Sequence, residues 1–137
     1  MALVVDVSVA AKWFLADESS AFAESILDRI VKESAYVPAL FIWEFQNVLL
    51  VAGRAERLTP RDVDEALETL TTLPIFVDPV QERALAGTEL QLARHYDLTA
   101  YDAAYLALAA RKRIALATTD KRLRNAAADA GIEVLSP

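Results

Sequence analysis

Four acidic residues, Asp6, Glu44, Asp102 and Asp120, each interrupt or close a strongly apolar segment of this 137-residue chain. Between Ser34 and Gly53 the only formal charge is Glu44, and between Leu98 and Ala110 the only one is Asp102. A carboxylate buried alone is costly, and carboxylates that share a site repel by about 4 kcal/mol per adjacent pair at intermediate dielectric. Such a set requires positive charge from outside the chain. With no cysteine and one histidine, the compensator that fits is a hard divalent cation on oxygen ligands, Mg2+ or Mn2+. Held by carboxylates, with positions left to water and a substrate phosphate, it would ionise a water and neutralise charge developing on a phosphodiester. The four acids are therefore candidates both for holding a metal and for catalysis.

Each acid except one also has a structural role open to it. Asp6 and Asp120 can cap the helices that follow them, and Asp102 can complete a capping box begun by Thr99. Glu44 falls inside a helical pattern over residues 40–52 that supplies no Arg or Lys to pair with it. Ser8, Asn47, Thr118 and Thr119 are placed to hydrogen-bond an acid or a metal-bound water, or to satisfy backbone groups. His95, beside Arg94 and Tyr96, suits a cap or a surface role. Trp13, Phe14, Phe41, Trp43 and Phe45 stand at helical spacing among aliphatic residues, which favours core or a partner interface over a base-stacking platform. The run from Tyr36 to Leu50 is apolar enough for part of it to meet another subunit.

Net charge is −6, which on its face disfavours a nucleic-acid partner. Its distribution softens that objection. Residues 111–125 hold six bases (Arg111, Lys112, Arg113, Lys121, Arg122, Arg124) against Asp120, so this stretch carries +5 and the remainder −11. Lys112, Arg113, Lys121, Arg122 and Arg124 are candidate contacts for a nucleic-acid phosphate backbone, with solvated helix ends as the plainer reading. No disulfide or thiolate zinc site is available. The apolar N-terminus carries Asp6 where a signal peptide needs uninterrupted hydrophobicity, and no uncharged run reaches the ~18 residues of a membrane span. A cytoplasmic protein with no membrane association is expected.

These residues must be positioned by a fold, and the pattern implies one domain over residues 1–137. Apolar runs LVV before Asp6, IFV before Asp78, IALATT before Asp120 and IEVL near the C-terminus read as strands, with AYV before Pro38 a weaker one. They are continuous rather than alternating, which favours a parallel sheet covered on both faces. Helical patterns lie between them, over 9–15, 20–31, 40–52, 60–70, 79–94, 100–112 and 121–130. Thr59 with Asp62 and Thr99 with Asp102 read as capping boxes, and Gly53 and Gly131 as helix ends. The expectation is an α/β/α sandwich with a mostly parallel central sheet of four to five strands. In such sheets ligands bind beyond the carboxyl ends of the strands, where Asp6 and Asp120 fall.

In order along the chain, VVDVSV, IWEFQNVL, LTAYDAAYLALA and LATTDKRL resemble the conserved segments of PIN-domain proteins, specifically VapC-type ribonuclease toxins. The resemblance covers essentially the full length. It implies an endoribonuclease dependent on Mg2+ or Mn2+, with Asp6, Glu44, Asp102 and Asp120 matching the acidic quartet and Ser8 and Thr118 or Thr119 the polar accessories. It also implies a homodimer silenced by a cognate antitoxin whose C-terminal segment wraps the toxin and can bring a basic side chain to the acids. A PIN nuclease for RNA processing without a toxin role is the alternative among enzymes. A module whose acidic pocket only receives a basic segment is the alternative outside them.

Overall fold

The computed structural model describes residues 1–79 and 86–137. Five strands form one sheet: β1 (Leu3–Val5), β2 (Ala35–Val37), β3 (Ile75–Val77), β4 (Ala115–Ala117) and β5 (Val134–Leu135). Their order is β3-β2-β1-β4-β5 and every pairing is parallel. The continuous apolar runs are explained by position. β1 and β4 are buried at every residue, whereas the edge strand β3 leaves Phe76 and Val77 exposed. This is the parallel α/β sheet that the sequence predicts.

Seven α-helices are described: α1 (Val7–Ala10), α2 (Ala21–Glu33), α3 (Leu40–Arg54), α4 (Pro60–Thr72), α5 (Thr88–Tyr96), α6 (Ala100–Lys112) and α7 (Lys121–Asp129). The expected helix over 9–15 instead starts at Val7 and continues as 3-10 turns at 11–13 and 16–18. Of the pattern over 79–94, residues 80–85 lie outside the described region, Pro79 is not helical, and α5 runs on to Tyr96. IALATT is strand only over Ala115–Ala117, although the Thr118 N–H still donates to the Leu135 carbonyl of β5 at 3.1 Å. Gly53 does not end its helix. α3 continues through Arg54, and Glu56 takes the left-handed conformation (φ 59°) that follows. Gly131 behaves as expected after α7, at φ 76°.

The core lies between the sheet and its helices. Phe41 and Phe45, one turn apart on α3, stack at 5.9 Å, and Phe14 meets Phe45 edge-on at 5.3 Å. Trp13 donates its indole N–H to the Ala23 carbonyl at 2.8 Å, which ties the segment after α1 to α2. These four aromatics are structural, as their spacing predicts. Trp43 differs, being 63% exposed on the opposite side of α3. No described helix is long and apolar enough to cross a membrane.

Candidate metal and catalytic site

Because every strand points the same way, the carboxyl ends of β1 and β4, which are hydrogen-bonded neighbours, open on the same edge of the sheet. Asp6 follows β1 directly, is 3% exposed, and occupies the N-cap position of α1 without using its side chain as a cap. Its Oδ2 instead accepts two hydroxyls, Ser8 Oγ at 2.7 Å and Thr118 Oγ1 at 2.8 Å. Each hydroxyl is itself held. Ser8 Oγ accepts from the Thr119 N–H at 3.1 Å, and Thr118 Oγ1 accepts from the Asp120 N–H at 3.0 Å. Two hydroxyl bridges thus fasten Asp6 to the turn that carries Asp120.

Asp120 does cap its helix, with Oδ1 accepting from the Leu123 N–H at 2.9 Å. Asp102 sits in the first turn of α6, where Thr99 Oγ1 accepts from its backbone N–H at 3.0 Å. The capping box expected there is half made. At Thr59 and Asp62 both reciprocal bonds form, but the Asp102 carboxylate returns none to the Thr99 backbone. Glu44 lies where the buried face of α3 meets its exposed face, and Oε1 accepts the Tyr105 hydroxyl of α6 at 2.6 Å.

Asp6 and Asp102 lie in the field of Asp120, and Glu44 in the fields of Asp6 and Asp102. Burial is the largest cause raising the pKa of Asp6, opposed by the Ser8 and Thr118 hydroxyls and reinforced by the charge of Asp120. Burial also leads for Glu44, offset by Tyr105 and reinforced by Asp6 and Asp102. For Asp102 burial comes first, then repulsion from Asp120 and Asp6, with Thr99 and Arg122 acting the other way. Asp6, Glu44 and Asp102 thus resist ionisation, through burial and through the like charges around them.

This donor set fits a hard divalent ion, since it offers only carboxylate oxygens and has negative charge to be neutralised. Among the described residues, no three acidic, histidine or cysteine groups close into a ready-made metal cluster. The fit is therefore to an ion that keeps much of its water and takes one or two carboxylates directly, rather than one caged by protein. Asp6, Glu44, Asp102 and Asp120 are the residues that would hold it.

The remaining candidates divide. Ser8 and Thr118 touch Asp6, and Thr119 joins through its backbone N–H. Asn47 makes no hydrogen bond to the acids among the described residues. It is exposed on α3 and lines a shallow groove with Trp43, Leu50 and α4 residues Val63 and Leu67. Lys121, Arg122 and Arg124 start α7 right after Asp120 and so flank the acids. Lys112 and Arg113 do not. Lys112 places its ammonium 4.1 Å from the Tyr36 ring centroid, and Arg113 lines a groove with Met1, Ala2 and residues 131–133, which precede β1 and β5 at the opposite edge. Arg111 pairs with the buried Asp78 beyond β3. His95 packs edge-on against Tyr96.

Tyr105 escapes a search for acids and small polar residues. Its signal is nonetheless present, since a tyrosine three residues after Asp102 on an otherwise apolar helix brings a polar tip into the core, where it needs a partner. The Asp78–Arg111 pair joins residues 33 positions apart.

Solved structures share this architecture at low identity. PAE2754 from Pyrobaculum aerophilum matches with TM-score 0.65 and 20% identity over 98% of this chain and 90% of that one. FitAcB from Neisseria gonorrhoeae matches with TM-score 0.67 and 19% identity over 98% and 96%. A structure of FitAB bound to IR36 DNA fragment matches with TM-score 0.60 and 17% identity over 100% and 95%. No curated protein sequence matches the chain. The family model described as PIN domain matches residues 3–129, which contain all four acids. The chain therefore belongs to the PIN domain family, whose members are in general metal-dependent nucleases.

Proposed function

We propose that the chain is an endoribonuclease dependent on Mg2+ or Mn2+, the toxin of a VapC-type toxin–antitoxin pair acting in the cytoplasm. The observation that carries this reading is the connected quartet of Asp6, Glu44, Asp102 and Asp120 at the carboxyl edge of a parallel sheet, three of them with pKa values raised by burial and by one another. The ion would activate a water and neutralise charge on the phosphodiester. The chain's own part is to fix Asp6 through Ser8 and Thr118, hold Glu44 through Tyr105, and offer Lys121, Arg122 and Arg124 to the RNA backbone.

The decisive experiment incubates the partner-free protein with RNA and sequences the products. Cleavage is expected with Mg2+ or Mn2+, lost on chelation and lost in Asp102→Asn. An absence of metal-dependent cleavage at any protein concentration would leave the non-catalytic acidic pocket as the better reading. A single-stranded DNA arm belongs in the same assay, since one similar structure is an assembly bound to DNA. An antitoxin beside the gene would separate the toxin from an RNA-processing nuclease.

The homodimer in this proposal draws support from α3. Trp43, Leu50 and Val51 are 63%, 48% and 54% exposed and form one stripe at helical spacing. Leu50→Glu is expected to convert a dimer to a monomer in sedimentation equilibrium. An unchanged mass would exclude this stripe as the contact.

A further inference from the structure

Three of the four acids share one arrangement: one carboxylate oxygen is committed to a donor of the protein, and no side-chain donor among the described residues reaches the other. Asp6 commits Oδ2 to Ser8 and Thr118, Glu44 commits Oε1 to Tyr105, and Asp120 commits Oδ1 to the Leu123 N–H. The Tyr105 bond is the most consequential. Tyr105 is fully buried, so its hydroxyl cannot turn away without stranding a polar group in the core. Glu44 itself is only half-buried and has no other side-chain partner among the described residues to fix its orientation.

A carboxylate oxygen held by a fixed donor keeps at most one lone pair, so the carboxylate is turned to meet a cation through its other oxygen and is hindered from binding it with both. That restriction discriminates between ions. Magnesium requires near-ideal octahedral geometry and keeps several waters, so one oxygen from each of one or two carboxylates suffices. Calcium takes six to eight oxygens at longer distances and commonly gains them from bidentate carboxylates.

We propose that Tyr105 is a positioning residue for ion selectivity. By holding Glu44 Oε1 it keeps Glu44 a one-oxygen ligand, and Ser8 and Thr118 do the same for Asp6, so that the site selects a small six-coordinate divalent cation over calcium. The inference rests on the metal-site reading proposed above and adds the residues that choose the ion.

The test is isothermal titration calorimetry of the full chain with MgCl2, MnCl2 and CaCl2 in turn, for the wild type and Tyr105→Phe. The wild type should bind Mg2+ and Mn2+ more tightly than Ca2+. Tyr105→Phe should lose about tenfold in Mn2+ affinity, the size usual for a lost partner of a metal ligand, while Ca2+ affinity holds or rises. The Mn2+/Ca2+ ratio thus narrows by at least that factor. Equal weakening for all three ions would mark Tyr105 as structural only and overturn the proposal. Ser8→Ala combined with Thr118→Val, which removes both donors from Asp6 Oδ2, gives the same reading should Tyr105→Phe fail to fold, and an unchanged ratio there also overturns it. A wild type that binds none of the ions would overturn the metal site itself. Ions that bind without selectivity sensitive to these donors would overturn only the present inference.

Discussion

Asp6→Asn is expected to slow RNA cleavage by on the order of 10³-fold or more, about 4 kcal/mol of transition-state stabilisation, while leaving the fold intact. The size follows from position. Asp6 ends the central strand β1, is 3% exposed, and is the acid to which both hydroxyl bridges run. Asparagine has nearly the same shape, and its carbonyl oxygen can still accept from Ser8 and Thr118, so the link to the Asp120 turn survives. What disappears is a charge that Glu44 and Asp102 both feel. The metal-free variant should then melt at or above the wild-type temperature, because a repulsion has been removed from the folded state. Single-turnover cleavage measured beside a circular-dichroism melt separates the two effects. A rate within tenfold of wild type would sink the assignment of Asp6, and a lost activity accompanied by a lowered melting temperature would reduce it to a structural residue.

Asp6 also shows what the sequence makes legible and what it hides. An acid after a continuous apolar run, in a chain alternating strand and helix, places itself at the carboxyl edge of a parallel sheet from pattern alone. The same reasoning finds Asp120, and the absence of any cation near Glu44 in sequence singles out that residue. The structural roles open to these acids could only be settled in three dimensions. Asp6 and Asp120 both occupy N-cap positions, yet only Asp120 uses its side chain there. Thr99 and Asp102 have the spacing of a capping box but form one of its two bonds.

What pattern cannot reach is pairing across long separation. Tyr105 finds Glu44 over 61 positions, and Arg111 finds Asp78 over 33. The basic stretch over 111–125 is one cluster in sequence, but α6 delivers its first half and α7 its second to different places. Lys112 and Arg113 lie away from the acids because a strand, β4, intervenes before Asp120. Asn47 makes no hydrogen bond to the acids among the described residues. It shares a helix face with Glu44 but lines the groove with Trp43 and Leu50.

The second large effect expected is a strong dependence of stability on metal that vanishes in acid. The pKa values of Asp6, Glu44 and Asp102 are raised in the folded protein, so over the interval from the ordinary carboxylate range up to their raised values the folded state binds more protons than the unfolded chain. Stability contributed by these groups therefore falls as pH rises through that interval, and the full penalty is present above it. Asp17, Glu33 and Asp62 have the opposite sign, being lowered chiefly by Arg57, Arg29 and the Thr59 backbone N–H respectively, but all three are solvated and count for little. A divalent ion removes the site's penalty only where the acids are ionised. At a hundredfold excess over its dissociation constant, Mn2+ should add about 2.7 kcal/mol near neutral pH, a rise in melting temperature on the order of 10 °C. That rise should shrink toward zero as pH falls into the carboxylate range. Glu44→Gln, which can keep the Tyr105 bond through its amide oxygen, should show a smaller rise at neutral pH and a flatter profile. Equal metal-induced shifts in the two proteins would remove Glu44 from the ligand set, whereas a shift that persists in acid would mean that the ion binds somewhere other than these carboxylates.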